Sequence, residues 1–437
     1  MTYEDALNEI HDRLRFGNKL TLTRIKELLH LLEDPHKSLR IIHVAGTNGK
    51  GSVSKYIYNA LRENGFKVGL YTSPYIVDFR ERIECDGTWI TQEELVAFTE
   101  RVFNAVHLME STGSDAPTEF EIVVAMAFLY YKEKGCDYVV LEVGLGGRGD
   151  ATNVIAKPLV SIITSISFDH MEYLGNTLAE IAEEKAGIIK KSCPIVYDVQ
   201  DKTAAQTIQK KAKQMNSRAF AVQSLAKNIS VFESSLDGSR FSVSILGQEY
   251  SNVFTPLAGL HQVDNAITAL TALNVLQTEH DIRLDSEKIV QGLAKTRHVA
   301  RFEKIWDDPL MIIDGAHNAE GMKAFCNSVK PFIEKKKTLF ILGILKDKEF
   351  IKMLETVLSL RVDIAVSEPE NSRKASAKEL GAVVESLGGK AEILGDAQHA
   401  IAYAKDNFGN YECILFAGSL YFVSAIREGF IGREEQA

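Results

Sequence analysis

Ile41-Ile42-His43-Val44-Ala45-Gly46-Thr47-Asn48-Gly49-Lys50-Gly51-Ser52 is the stretch whose reading decides the fold. The apolar run Ile41 to Ala45 predicts a buried strand. A glycine-rich turn follows, and then SVSKYIYNALREN carries apolar residues at helical spacing. Strand, glycine loop and helix together form the layout of a phosphate-binding loop. Glycines let backbone N–H groups approach phosphate oxygens, and a helix N-terminus adds positive potential. Lys50 supplies charge for the β and γ oxygens, and Ser52 offers a hydroxyl to Mg²⁺. The loop is shorter than G-x-x-x-x-G-K-[ST], with Gly51 between lysine and hydroxyl. A plain glycine turn is the bland alternative; strand, lysine, hydroxyl and helix in succession favour phosphate.

Working outward, 437 residues are enough for two or three domains. Apolar and charged contents of 45% and 25% are those of an ordinary globular chain. A net charge of −9 excludes general nucleic-acid binding, which needs a basic surface. Five scattered cysteines, at 85, 136, 193, 326 and 413, lack metal spacing and read as reduced thiols in a cytoplasmic protein. The start, MTYEDALNEIHDRL, reads as an acidic amphipathic helix and not as a signal peptide. No apolar run is long enough to span a bilayer, so no membrane partner is expected.

Taken in order, helices are expected at about Tyr3–Phe16 and Leu22–Leu32, before the loop unit. A strand over Lys67–Tyr71 ends in Thr72-Ser73-Pro74, and Tyr75 to Ile83 suits a surface loop that carries function. Helices follow at Thr91–Met109 and Glu119–Lys134; Thr91 is a fair N-cap, with Glu94 three residues on. Strands over Asp137–Glu142 and Leu159–Ser165, then a helix over Asn176–Lys190, give the alternation of a parallel α/β sheet. Ligands in such sheets sit beyond the carboxyl ends of the strands, where Ser73, Glu142 and His170 all fall. Phe220 to Phe254 switches to short alternating strands, a small antiparallel patch. After helices His261–Leu276 and Ser286–Lys295 the pattern restarts around Thr296–Arg301. The expected division is therefore 1–297, a P-loop ATP-binding domain, and 298–437, a second, Rossmann-like α/β domain without a phosphate loop of its own.

HVAGTNGKGS, TSP with F-x-ERI, LEVGLGGR-x-DATN, SIITSISFDHMEYLGNTLAEIAEEKAGIIK, GLHQVDNA, ARFE and DGAHN occur in this order. With these motifs the chain resembles the folylpolyglutamate synthase and dihydrofolate synthase family of the Mur ligase superfamily, over nearly its whole length. Gly149, where the family often has leucine, and Tyr75, Asp78 and Arg80 in a variable loop depart from the pattern. The resemblance implies an ATP-dependent amide ligase. ATP converts a carboxylate of folate or dihydropteroate to an acyl phosphate, and the amino group of L-glutamate then attacks. A carboxylate is a poor electrophile, and cations must screen the crowding of anions around it. Cell-wall Mur ligases are the near rival, but only about forty residues precede the loop here, below what a separate nucleotide-sugar domain needs. A nucleotide switch without ligase chemistry would need no second domain. A monomer is expected.

The resemblance also implies roles. Thr47 to Ser52, with Lys50, hold the triphosphate, and Ser52, Ser73, Glu142, His170 and Lys185 surround two Mg²⁺ ions. Asn265, Arg301, Asp314 and His317 meet the nucleotide across the cleft. Thr118, Phe120 and Asp150 form a pterin site. Lys185 is marked as a carbamoylated lysine, since a neutral amine beside a metal can add CO₂ and become an oxygen donor. Without the resemblance the bland readings are better for several of these. His170 is then a capping histidine, Asn265 a surface polar residue, Arg301 a solvated charge, Phe120 core packing, and Lys185 a solvated lysine beside a glutamate.

Overall fold

In the computed structural model the described residues are 1–13 and 21–432. The strand Ile41–Ala45 (β1) is buried at every position, as an unbroken apolar run requires in a parallel sheet covered on both faces. It lies at the centre of a sheet with β2 (Val68–Tyr71), β3 (Ile83–Cys85), β4 (Thr88–Trp89), β5 (Tyr138–Glu142), β6 (Val160–Ile163), β7 (Ile195–Tyr197) and β8 (Ala219–Ala221). The order is β4-β3-β2-β5-β1-β6-β7-β8. β3 and β4 run antiparallel at one edge; the other pairs are parallel. β1 is flanked by β5 and β6, and the chain leaves β1 towards one side and later returns to the other. That is a topological switch point, and the turn Gly46–Gly49 sits at its mouth.

The helix Lys50–Glu63 follows the turn and buries Val53, Tyr56, Ile57, Ala60 and Leu61. It is pressed onto the sheet by two later helices, Leu260–His280 and Ser286–Ala294. Gly292 makes the second contact possible: a Cβ there would lie 2.5 Å from Cα of Ala60. Three of the other helices begin at reciprocal caps that the sequence provides. Thr91 with Glu94, Thr118 with Glu121, and Thr177 with Glu180 each form a reciprocal capping box.

The antiparallel patch is a ribbon of β9 (Ala226–Ser235), β10 (Gly238–Ile245) and β11 (Gln248–Thr255), in the order β11-β10-β9. A second sheet holds β12 (Glu303–Trp306), β13 (Leu310–Ile313), β14 (Thr338–Gly343), β15 (Asp363–Glu368), β16 (Ala391–Asp396) and β17 (Cys413–Ala417). Its order is β12-β13-β17-β14-β15-β16, parallel except for β12. Among the described residues no helix is long and apolar enough to cross a membrane.

Several boundaries differ from the sequence reading. The first helix spans Tyr3–His11, and the expected extension through residue 16 falls outside the described residues. The helix expected over Asn176–Lys190 stops at Lys185 and gives way to a short 3₁₀ turn, Ala186–Ile188, where Gly187 packs against the backbone of Arg148. β7, β12 and β16 were not expected: the first is three residues long, and the others are edge strands with exposed residues. Tyr75 to Ile83 is not a surface loop. Ile76, Phe79 and Arg82 are buried, because Ile76 packs into the core of the second sheet and Arg82 pairs with Glu119 at 3.3 Å. Ser424 Oγ also donates to the Ile76 carbonyl.

Gly292→Ala should cost about 1–3 kcal/mol, the usual range for overpacking, by separating two helices that meet backbone to backbone. A lowered urea midpoint with an unchanged m-value would show it; an unaltered midpoint would remove the close-approach argument.

Candidate active site

A cleft of about 700 Å³ opens over the carboxyl ends of β1, β2, β5 and β6 and is closed from above by the second sheet. Every site residue expected from the sequence lines it, from the loop Thr47 to Ser52 at one side to Thr118, Phe120 and Asp150 at the other.

The loop is held from beneath. Thr47 N–H donates to the Ser165 carbonyl at 2.8 Å, and Asn48 N–H donates to Ser165 Oγ at 3.0 Å. Gly49 stands at the N-cap of the helix with φ +85°, a conformation costly to any residue with a Cβ, and it lies against the Asn265 carboxamide. No side chain caps that helix, so its first N–H groups remain available to an anion. Lys50 Nζ donates to the Thr47 carbonyl at 3.1 Å and so folds back over the loop. Burial lowers its pKa, opposed by the carboxylates Glu142 and Asp169. Ser52 Oγ lies 3.1 Å from His298 Nδ1.

Glu142 ends β5 as a buried carboxylate; burial raises its pKa to about 7, against the pull of Lys50 and Arg301. Lys185 closes its helix with Nζ donating to the Gly46 carbonyl at 2.8 Å. It is 3% exposed, not solvated, and burial together with Lys50 lowers its pKa to about 7. Among the described residues no three of His, Cys, Asp and Glu converge as a cage. One carboxylate with the hydroxyls of Ser52 and Ser73 fits Mg²⁺, which keeps water and takes phosphate oxygens, better than a metal needing a complete protein shell. His170 lines the same cleft, with its imidazole held in the neutral form that can bind a metal. Its Nε2 lies 3.4 Å from Lys348 Nζ, and burial lowers its pKa to about 4.

At the far wall, Thr118 caps the helix Glu119–Lys134 and the Phe120 ring packs over Gly144, where a Cβ would lie 2.5 Å from Cζ. Asp150 holds its own loop. One oxygen accepts from Thr152 N–H at 3.0 Å and Thr152 Oγ at 2.5 Å, the other from Leu145 N–H at 2.8 Å. Little acceptor capacity is left for a ligand's N–H edge, so its first task is to set the Gly144–Asp150 turn against Phe120. Asp314 acts similarly on the other side. It accepts from Phe302 N–H and Ala316 N–H, each at 2.7 Å, and thereby fixes the segment that carries Arg301.

Sequence reading missed the groups that join the two sheets. Asp169 lies 2.5 Å from Lys348 Nζ, 3.1 Å from Asn318 Nδ2 and 3.5 Å from His317 Nε2. Burial opposes its ionisation, but these partners outweigh burial and hold the carboxyl far below the usual range. Asn318 also exchanges carboxamide hydrogen bonds of 3.0 and 3.2 Å with Asn48 in the phosphate loop. The signals were present but weak: Asp169 adjoins His170, and Asn318 ends DGAHN. Lys348 and His298 stand in no motif that marks them.

Residues 44–273 match the Mur ligase middle domain, and residues 300–420 match the Mur ligase, glutamate ligase domain. The dihydrofolate synthase/folylpolyglutamate synthase of Bacillus subtilis (strain 168) is 38% identical over 429 residues, 98% of each chain. The chain belongs to this family of Mur-type ligases. The folylpolyglutamate synthase of Lacticaseibacillus casei is 34% identical over 435 residues, 99% of each chain. Mycobacterium tuberculosis folylpolyglutamate synthase complexed with ADP superposes with a TM-score of 0.90 at 29% identity, covering 99% of both chains. A solved FPGS–AMPPCP–folate complex does so with a TM-score of 0.87 at 32% identity, over 99% of this chain and 100% of that one.

For this Mur-type ligase, Glu142→Gln should stabilise the protein without nucleotide, and more at pH 8 than at pH 6. The folded-state pKa of about 7 lies above the unfolded value. Stability therefore falls as pH rises towards 7, and the glutamine variant escapes that loss, by about 1 kcal/mol between the two pH values. Chemical denaturation at both pH values measures it; an equal effect at both would remove the argument for a buried, unpaired carboxylate.

Proposed function

We propose that this chain is an ATP-dependent ligase that adds L-glutamate to reduced folate, and that it also accepts dihydropteroate. A single observation carries the reading: one cleft joins a phosphate loop to an aromatic-walled pocket, so a nucleotide's terminal phosphate and the acid of a ring-bearing substrate can meet. Phosphoryl transfer breaks the bond between the β,γ-bridging oxygen and the γ-phosphorus and forms a bond from a substrate carboxylate oxygen. ADP leaves and an acyl phosphate remains. The glutamate amine then forms a C–N bond, the C–O bond to phosphate breaks, and inorganic phosphate and a proton depart.

The chain's own groups divide this work. The free N–H groups at the start of Lys50–Glu63, with the Lys50 ammonium, bind and screen the triphosphate. Glu142, Ser52 and Ser73 would hold Mg²⁺, which supplies charge neutralisation between phosphate oxygens. A second Mg²⁺ would lie towards Lys185, whose buried amine, with a pKa of about 7, is suited to carbamate formation by CO₂. Arg301 and His317 reach in from the second sheet, and Asn265 supports the nucleotide beside Gly49. Phe120 offers the pterin an aromatic face, and Thr118, the N-cap of the same helix, lines the pocket beside it. Closure of the second sheet excludes water from the acyl phosphate. We assign 1–297 and 298–437 as the two working domains of a cytoplasmic monomer.

ADP release by the purified protein with ATP and Mg²⁺ should require both glutamate and either tetrahydrofolate or dihydropteroate. Hydrolysis independent of any acceptor would overturn the ligase reading. Lys50→Ala should keep its fold and lose at least about 2–4 kcal/mol of transition-state stabilisation, a 30- to 1,000-fold fall in kcat/KM. Arg301→Ala should raise the KM for ATP or lower kcat at unchanged stability, and near wild-type kinetics would place Arg301 outside the reaction. Lys185→Ala should be almost inactive, with activity partly restored by added short carboxylates. A fully active Lys185→Ala would end the carbamate proposal.

A further inference from the structure

His298 lies in the segment between the helix Ser286–Ala294 and β12, three residues before Arg301. The segment is fastened at both ends. Asn59 Nδ2, on the loop helix, donates to Thr296 Oγ1 at 3.1 Å. Beyond it, Gly315 N–H donates to the Ala300 carbonyl at 2.8 Å, and Ala300 N–H donates to Glu303 at 2.7 Å. Ala300 and Phe302 take φ of +55° and +48°, values that non-glycine residues rarely adopt, so the crossing has a defined shape. Between these anchors the imidazole packs against Gly51 of the phosphate loop. A Cβ on Gly51 would be 2.8 Å from His298 Cε1 and 3.1 Å from Nε2. Only a glycine admits the ring there. The other nitrogen, Nδ1, is 3.1 Å from Ser52 Oγ.

A neutral imidazole has one N–H and one lone-pair nitrogen, so Nδ1 can take the Ser52 proton when Nε2 carries the ring's own. The Gly51 face that carries Nε2 also carries Glu142 Oε2, 3.5 Å from the same Cβ position. In that tautomer the Ser52 hydroxyl donates to Nδ1 and its oxygen keeps its lone pairs for a ligand.

We propose that His298 is a positioning residue that aims the Ser52 oxygen at the nucleotide-bound divalent cation and ties the interdomain crossing to the phosphate loop. The inference rests on the functional reading above. It makes metal-assisted nucleotide binding depend on a side chain that need not touch nucleotide or metal. A hydroxyl freed from His298 can rotate its proton into the cleft, where it opposes a cation.

Calorimetric titration with AMPPCP, in Mg²⁺ and in EDTA, tests this without turnover. The wild type should bind more tightly in Mg²⁺. His298→Ala should lose about tenfold of that enhancement, the scale of one aligned hydrogen bond to a charged site, while binding in EDTA stays within about twofold. His298→Asn, whose carboxamide oxygen can stand at the Nδ1 position, should regain most of the enhancement. His298→Gln, which reaches the Nε2 position instead, should not. Ser52→Ala and Ser52→Ala/His298→Ala should be alike, since the histidine acts through the hydroxyl. Full enhancement in His298→Ala, equal behaviour of the asparagine and glutamine variants, or an additive double mutant would overturn the proposal alone. A wild type that shows no Mg²⁺-dependent binding would overturn the functional reading with it.

Discussion

A helix cannot satisfy its own first N–H groups, and this protein is built to keep one such set unsatisfied inside a cleft. The turn Gly46–Gly49 has no capping side chain, yet it is far from loose. Ser165 supports it from β6's extension, Asn265 lies against Gly49, and His298 covers Gly51. Each support comes from a different part of the chain. The loop is therefore stiff before any anion arrives, and the ordering cost is met during folding, not during binding.

The same cleft collects charges that a stable interior would avoid. Lys185 and Glu142 are buried and Lys50 is half-buried, and desolvation shifts all three towards their neutral forms. Among the described residues none of the three forms an ion pair; Lys50 and Lys185 donate to backbone carbonyls instead. Asp169 is the contrast: Lys348, His317 and Asn318 surround it, and its charge is locked in place. One carboxylate fastens the two sheets together, while the other waits with a pKa of about 7 for a cation to compensate it. Perturbed groups that lack partners mark the place where ligands supply the missing charge.

The second sheet contributes more than a lid. Asn318 reaches the phosphate loop through Asn48, Ile76 from the first unit is buried in the second sheet's core, and Asp314 holds the Arg301 segment in shape. These contacts explain why Tyr75 to Ile83, polar and aromatic in sequence, is interior in the fold. A segment's composition reports its local preference, and a partner surface can override it.

Much was legible locally. Continuous apolar runs gave β1, β5 and β6, because a parallel strand is buried on both faces. Glycine and lysine spacing marked the phosphate loop, since φ +85° at Gly49 and close backbone approach leave few residue choices. The Thr91–Glu94 pair marked a helix start, because capping is satisfied within four residues. Edge strands such as β12 and β16 escaped, since half-exposed residues carry little hydrophobic pattern. What only tertiary structure decided is which side chains meet. Asp150 and Asp314 look like ligand groups in sequence, and the fold shows that each also accepts backbone N–H groups of neighbouring turns. Lys348 and His298 carry no local signal, yet distances of 2.5 and 3.1 Å place them at Asp169 and Ser52. Local sequence fixes φ, ψ and burial periodicity over a few residues; contacts across 179 or 246 positions depend on how sheets pack, which no short window contains.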